Sequence, residues 1–151
     1  MEFEMDNHKP TTEILAERLI NSPDIDSFLD AHKKKIDAVS FHDFLYKLVE
    51  AKGLKISECL RNSQINESYG YQLFNGKRQP SRSKVIQLAL GLSLTLEETN
   101  RLLKLAEKSE LYVKDQRDAV VMFALNKKWT LYDTEALLIE RGLESIIKNK
   151  D

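Results

Sequence analysis

The stretch QINESYGYQLFNGKRQP, residues 64–80, decides how the rest of the chain can be arranged. Asn66 is suited to the start of a helix, because its side chain can accept a hydrogen bond from a free amide of the first turn. Gly76 is suited to the end of that helix, because glycine adopts the left-handed conformation there without steric cost. The stretch therefore predicts a short helix over residues 67–75, followed by a basic turn that Pro80 closes.

This predicted helix has two unlike faces. Its inner face carries Gly70, Leu73 and Phe74, which share one side of a helix at this spacing. Its outer face carries short polar and aromatic side chains, which are Glu67, Ser68, Tyr71 and Gln72. A polar outer face followed at once by two cations is typical of a helix that enters the DNA major groove beside a phosphate-binding turn.

The composition limits the class of protein. Hydrophobic residues make up 42% of the 151 positions, so the chain can form a core and general disorder is excluded. Five glycines, three prolines and apolar residues at helical spacing favour an all-α fold. No apolar run approaches the about 20 residues that cross a bilayer, and the N-terminus lacks a signal-peptide core. The single cysteine fits a reducing compartment, so we expect a cytoplasmic protein without a membrane partner.

The distribution of charge is more informative than its total of −1. Residues 1–40 hold nine acidic and five basic side chains, and residues 96–151 hold eleven and ten. Residues 41–95 hold eight basic and only four acidic side chains, a net charge of +4. Because the local field decides where DNA docks, this positive third is the predicted contact region.

Helix-start signals divide the chain into three parts. Residues 1–40 predict an acidic N-terminal extension, with one helix from Thr12 to Asn21 and a second from Pro23 towards Ile36. Residues 41–109 predict five helices with short connections. Four of them follow capping residues, which are Ser40, Asn66, Ser81 and Thr95.

Residues 110–151 predict a C-terminal helical hairpin that repeats an earlier one. A shift of 35 positions aligns residues 82–106 with 117–141 and gives nine identities in 25 positions. A second copy is expected to stack on the first and extend its apolar seam. The alternative is that two capped amphipathic hairpins look alike by necessity. The helix 119–125 is apolar nearly all round, so it must be covered by helix 96–108 or by a second subunit.

The segment from Phe41 to Ser109 resembles the Xre/Cro type of phage-repressor helix-turn-helix domain, a compact five-helix fold. The resemblance is carried by helix 56–62, the turn 63–65, helix 67–75 and the ending NGKRQPS at residues 75–81. Three positions depart from the family pattern. Ile56 replaces a frequent glutamine, Leu60 a small residue, and Gln64 a common glycine.

The resemblance implies that the second helix of the motif supplies the base contacts, from Glu67, Ser68, Tyr71 and Gln72. Gln72 could pair with adenine, and Glu67 could accept from the cytosine amino group. The predicted phosphate contacts surround this helix and are Lys55, Ser57, Asn66, Asn75, Lys77, Arg78, Arg82 and Lys84.

We therefore expect a sequence-specific DNA-binding transcriptional regulator of a bacterium or phage that binds double-stranded DNA as a homodimer. The N-terminal extension or the C-terminal hairpin would supply dimer or protein contacts. The alternative is a helix-turn-helix protein-interaction module without DNA binding, such as an antitoxin, inhibitor or adaptor. Glu67, Ile56 and the near-neutral total favour that alternative.

The sequence offers no catalytic grouping, so we expect no enzyme activity, no cofactor and no metal. The three histidines are scattered along the chain without ligand-spaced partners. Cys59 is predicted to be a buried structural residue.

Overall fold

The computed structural model of the protein describes residues 12–31 and 39–147. Within these ranges every regular element is a helix, so the prediction of an all-helical fold is confirmed. The nine helices of the described residues are α1 Thr12–Ile20, α2 Ile25–Ala31, α3 Phe41–Ala51, α4 Ile56–Asn62, α5 Glu67–Phe74, α6 Arg82–Gly91, α7 Leu96–Leu105, α8 Gln116–Lys127 and α9 Leu131–Glu140. In this part of the chain, none of them has the length and apolarity needed to cross a bilayer.

The chain divides into two compact units between Val39 and Ser40. The smaller unit contains α1 and α2. The Asp24 carboxylate fixes the start of α2 by accepting from the Ser27 amide at 2.7 Å and the Ser27 hydroxyl at 3.1 Å. The predicted continuation of this helix beyond residue 31 lies outside the described residues.

Helix starts in the larger unit follow the predicted capping signals. The side chains of Ser40, Asn66, Ser81 and Thr95 each accept a first-turn amide at 3.1–3.3 Å. Satisfying an otherwise unpaired amide stabilises each helix start by about 1 kcal/mol. These starts set α3, α5, α6 and α7 in the register that turns their apolar faces inward.

Helices α3 to α7 share one apolar core. α4 packs on α5 and α6, while α3 packs on α5 and α7. The core includes side chains with no exposed surface, among them Leu45, Leu48, Leu60, Leu73, Ile86, Leu88 and Leu102. The inner face predicted for α5 is confirmed, because Gly70, Leu73 and Phe74 are all buried.

Two of the residues that depart from the family pattern, Gln64 and Leu60, lie in or near the connection between α4 and α5. Gln64 adopts the left-handed conformation, with φ of 57°, that glycine adopts most easily. Leu60 lies directly over Gly70, where a Cβ would overlap its methyl groups. The connection is also fixed to α6, because the buried Gln87 amide donates to the Ser63 carbonyl at 2.9 Å.

Substituting Gly70→Ala is expected to lower the free energy of unfolding by about 1–3 kcal/mol, because the new methyl group overpacks against Leu60. Leu60→Ala alone leaves a cavity and is expected to cost about 2–5 kcal/mol. The double variant should cost less than the sum, since each change relieves the other. Urea unfolding measures this coupling, with Ser68→Ala on the exposed side of α5 as the control. Strictly additive costs would show that the two residues do not constrain each other.

The hairpin α8–α9 reproduces local features of α6–α7 at the 35-residue shift. Ser93 and Lys128, which lie at equivalent positions just after α6 and α8, are both left-handed, with φ of 52° and 57°. The segments that follow the two hairpins are bound by equivalent hydrogen bonds. The Leu111 amide donates to Asn100 Oδ1 at 2.9 Å, and at the shifted positions the Ile146 amide donates to Glu135 Oε1 at 2.5 Å.

The two hairpins contact each other reciprocally. Arg82 of the first donates to Asp118 of the second, and Arg117 of the second donates to Ser83 of the first. Arg82 and Arg117 are equivalent at the 35-residue shift, and so are Ser83 and Asp118. Each of the two arginines therefore contacts a residue in the first turn of the other hairpin's first helix. The stacking of the second hairpin on the first along one apolar seam stays a prediction.

Candidate nucleic-acid interface

The four predicted base-contact residues lie on the side of α5 that faces away from the core. Glu67, Ser68 and Tyr71 are exposed, and Gln72 is half-buried. Tyr71 keeps 44% of its surface exposed, which is unusual for a tyrosine on a core helix. The outer face of α5 therefore offers both hydrogen-bond donors and hydrogen-bond acceptors.

The basic turn after α5 is tightly held. Gly76 has φ of 81°, and a Cβ there would lie 2.8 Å from the His42 ring. The amides of Lys77 and Arg78 both donate to the Gln72 carbonyl, at 3.0 and 3.2 Å. The exposed side chain of Lys77 therefore begins at a fixed point beyond the end of the helix.

Two cations approach the aromatic ring of Tyr69. The Arg78 guanidinium carbon lies 4.9 Å from the ring centroid, and Lys84 Nζ lies 5.9 Å from it. Lys84 Nζ also donates to Gln87 Oε1 at 3.3 Å. Burial lowers the pKa of Lys84 below the usual value of a lysine. Tyr69 itself is half-buried and so supports these cations from the edge of the core.

The remaining polar residues predicted to contact phosphate lie at helix ends. Lys55 and Ser57 begin α4, and Asn66 and Asn75 flank α5. Both asparagine oxygens are already used, Asn66 Oδ1 by the Tyr69 amide and Asn75 Oδ1 by the Lys77 amide. Their amide nitrogens are therefore the groups that could donate to a phosphate.

Arg82 is directed elsewhere. Its guanidinium donates to the Ser109 and Glu110 carbonyls at 3.0 and 2.9 Å, and to both Asp118 oxygens at 2.9 and 2.8 Å. These bonds connect α6 with α8 and the segment between the hairpins. We therefore assign Arg82 a structural role in place of the predicted phosphate contact.

Asp118 is buried with this arginine. Burial alone would raise the pKa of Asp118, but the hydrogen bonds from Arg82 and from the Tyr112 amide outweigh that effect. The pKa of the Asp118 carboxyl is therefore held below its usual value, and the ion pair stays charged at neutral pH. Sequence reasoning missed this pair, although Asp118 follows the repeated arginine directly.

Cys59 is fully buried on α4, as predicted. Burial raises the pKa of its thiol to about 12. The thiol is therefore protonated and unreactive at neutral pH. Within residues 12–31 and 39–147, no three His, Cys, Asp or Glu side chains gather in a way that could hold a metal ion.

Comparison with protein-family models, curated proteins and solved structures finds no significant match to this chain.

Proposed function

We propose that this chain is a sequence-specific regulator of transcription that binds double-stranded DNA. In this proposal residues 41–109 form a repressor-like helix-turn-helix domain, and α5 enters the major groove. The observation that carries it is the outer face of α5, where three exposed polar side chains and the half-buried Gln72 lie beside a fixed basic turn. A groove-binding helix needs both features, since base edges give specificity and phosphate contacts set its position.

The local geometry of α4 and α5 supports the helix-turn-helix assignment. The left-handed Gln64 provides the sharp turn between the helices. Leu60 of α4 contacts Gly70 of α5 closely, so the two helices can approach each other. The large side chain at residue 60 is compensated by the absence of a side chain at residue 70. The residues that depart from the family pattern at positions 60 and 64 are therefore compatible with the proposed motif.

Each side chain has a defined role in this proposal. Ser68 and Tyr71 contact base edges, Lys77 neutralises a phosphate, and Asn75 donates to one from its amide nitrogen. Glu67 is placed to accept from a cytosine amino group, because a carboxylate facing phosphates would be repelled.

Selection of duplexes from a random pool with the full chain tests the proposal. We expect enrichment of a symmetric site, since helix-turn-helix subunits bind half-sites about one helical turn apart. Affinity for that site should fall steeply with salt, with a slope in log–log form of about −0.9 for each phosphate contacted. If no duplex is bound even at low salt, the chain is the protein-interaction module instead.

Self-association is the second part of the proposal, and α9 supports it. Its exposed side carries Tyr132, Ala136 and Ile139, spaced four and three residues apart as in a helix-packing seam. The positions equivalent to these at the 35-residue shift are all charged, namely Glu97, Arg101 and Lys104. The second hairpin therefore carries apolar side chains where the first carries charged ones.

A second copy of the chain fits this surface. The neighbouring helix α8 begins at the acidic cap Asp115 and ends at Lys127 and Lys128. An antiparallel second hairpin would bring opposite charges together at both ends of α8 and bury the apolar stripe of α9.

Ile139→Lys is expected to convert the dimer to a monomer, because it places a cation in the apolar seam. Sedimentation velocity measures the change in mass. Val113→Lys alters an equally exposed apolar residue outside the stripe and should leave the dimer intact. If the unsubstituted chain is already monomeric at micromolar concentration, the apolar stripe serves another partner.

A further inference from the structure

The side chains of Arg78 and Gln72 form one hydrogen-bonded unit at the edge of the outer face of α5. Arg78 Nε donates to Gln72 Oε1 at 3.0 Å. The guanidinium also lies against the Tyr69 ring, with 4.9 Å between the guanidinium carbon and the centroid. Both contacts draw the arginine back over α5, whereas a side chain that reached for the DNA backbone would extend from the turn.

This pairing changes the base that Gln72 can recognise. An unpaired glutamine binds adenine by accepting from the N6 amino group and donating to N7. Here the amide oxygen already accepts from a cation, and that cation repels the hydrogens of an adenine amino group. The groups left over are the terminal nitrogens of Arg78 and the amide nitrogen of Gln72, and all of them are donors.

Guanine matches a set of donors. Its major-groove edge presents two acceptors, O6 and N7, and no donor. The terminal nitrogens of an arginine match that pair of acceptors in a bidentate contact. Because the Nε of Arg78 is used by Gln72, its terminal edge is the one that remains for the base.

We infer that Arg78 selects a guanine in the DNA site, and that Gln72 and Tyr69 are the residues that position it. This inference rests on the proposed function and deepens it by naming a base that the site must contain. It replaces two roles expected from the sequence, the phosphate contact of Arg78 and the adenine contact of Gln72. Lys77 keeps its phosphate role.

Random-duplex selection on three full-length proteins tests the inference. The unsubstituted chain should enrich guanine at one fixed position of each half-site. Arg78→Ala should lower that guanine preference by roughly 10-fold or more and shift it towards adenine, because the Gln72 oxygen becomes free. Lys77→Ala, the matched control at the neighbouring position, should weaken binding to all sites alike without changing the preferred base.

A modified base provides a test at the level of one atom. Replacing the selected guanine with 7-deazaguanine removes the N7 acceptor, so it should weaken binding of the unsubstituted chain and leave Arg78→Ala unaffected. Failure of the unsubstituted chain to bind any duplex would overturn the proposed function together with the inference. Binding without a preferred guanine, or with a guanine preference that survives Arg78→Ala, would overturn the inference alone.

Discussion

Reversing the two charges of the basic turn, Lys77→Glu with Arg78→Glu, should abolish sequence-specific DNA binding. Each cation is expected to make a charge-assisted contact with DNA worth about 1.5–3 kcal/mol, so losing both weakens binding by roughly 100-fold or more. Two new carboxylates facing the negatively charged duplex add repulsion to that loss. Fluorescence anisotropy with the selected duplex measures the affinity.

The fold should tolerate this change, because both side chains are exposed and the turn is held by backbone amides. Lys104→Glu with Lys108→Glu on and after α7 changes the net charge by the same amount at a distant, exposed position. If that control loses as much affinity, total charge and not the turn governs binding. Unchanged affinity of the Lys77/Arg78 variant would contradict the proposed function.

Features of the fold that depend on neighbouring residues could be predicted from the sequence. The caps at Ser40, Asn66 and Ser81 are hydrogen bonds across three residues, so the chain specifies them locally. The same holds for the left-handed end at Gly76. Two faces of α5 follow from its bounds alone, because helical spacing assigns each side chain a direction.

Features that depend on distant residues could not be predicted. Arg82 follows the basic turn directly and has the charge expected of a phosphate ligand. Its partners lie 27 to 36 positions away, at Ser109, Glu110 and Asp118, and only tertiary packing brings them within reach. The hydrogen bond from Arg117 to Ser83 likewise depends on how the two hairpins pack, which the repeat pattern alone does not specify.

The hydrogen bond between Arg78 and Gln72 could be predicted only in part from the sequence. Six positions separate the two residues, and the turn that joins them is itself predictable from Gly76. A flexible arginine at that point has several directions open to it, since its side chain has many rotamers. Contact with the Tyr69 ring favours one of these rotamers. The position of that ring can be predicted only once the bounds of α5 are known.

Removing the buried carboxylate by Asp118→Ala should lower the free energy of unfolding by about 3 kcal/mol, the lower end for a broken buried ion pair. The loss is large because Arg82 keeps its charge within the protein after its partner has gone, with only a quarter of its side chain exposed. The Tyr112 amide also loses its acceptor. Ser83→Ala removes the equivalent partner of Arg117, a neutral hydroxyl, and should cost only about 1 kcal/mol.

A double-mutant cycle separates the ion pair from the packing of its atoms. Adding Arg82→Ala to Asp118→Ala should recover part of the loss, because no unpaired buried charge is left. Urea unfolding at neutral pH measures all four proteins. Hydrogen exchange should show the loss of protection first in α8 and α9, because the pair fastens these helices to α6. A coupling energy near zero would mean that the two groups are independently solvated.

The stabilisation that the Asp118–Arg82 ion pair provides is expected to decrease at low pH. The folded-state pKa of Asp118 is lowered, so its contribution is fully present above the unfolded pKa of about 3.9. That contribution is lost as pH falls further and passes through the folded pKa, because the protonated carboxyl no longer pairs with Arg82. Asp118→Asn cannot titrate, and its stability should therefore fall less between about pH 4 and the acid transition than that of the unsubstituted chain. Parallel acid profiles for the two proteins would show that the carboxyl is not paired in the folded protein.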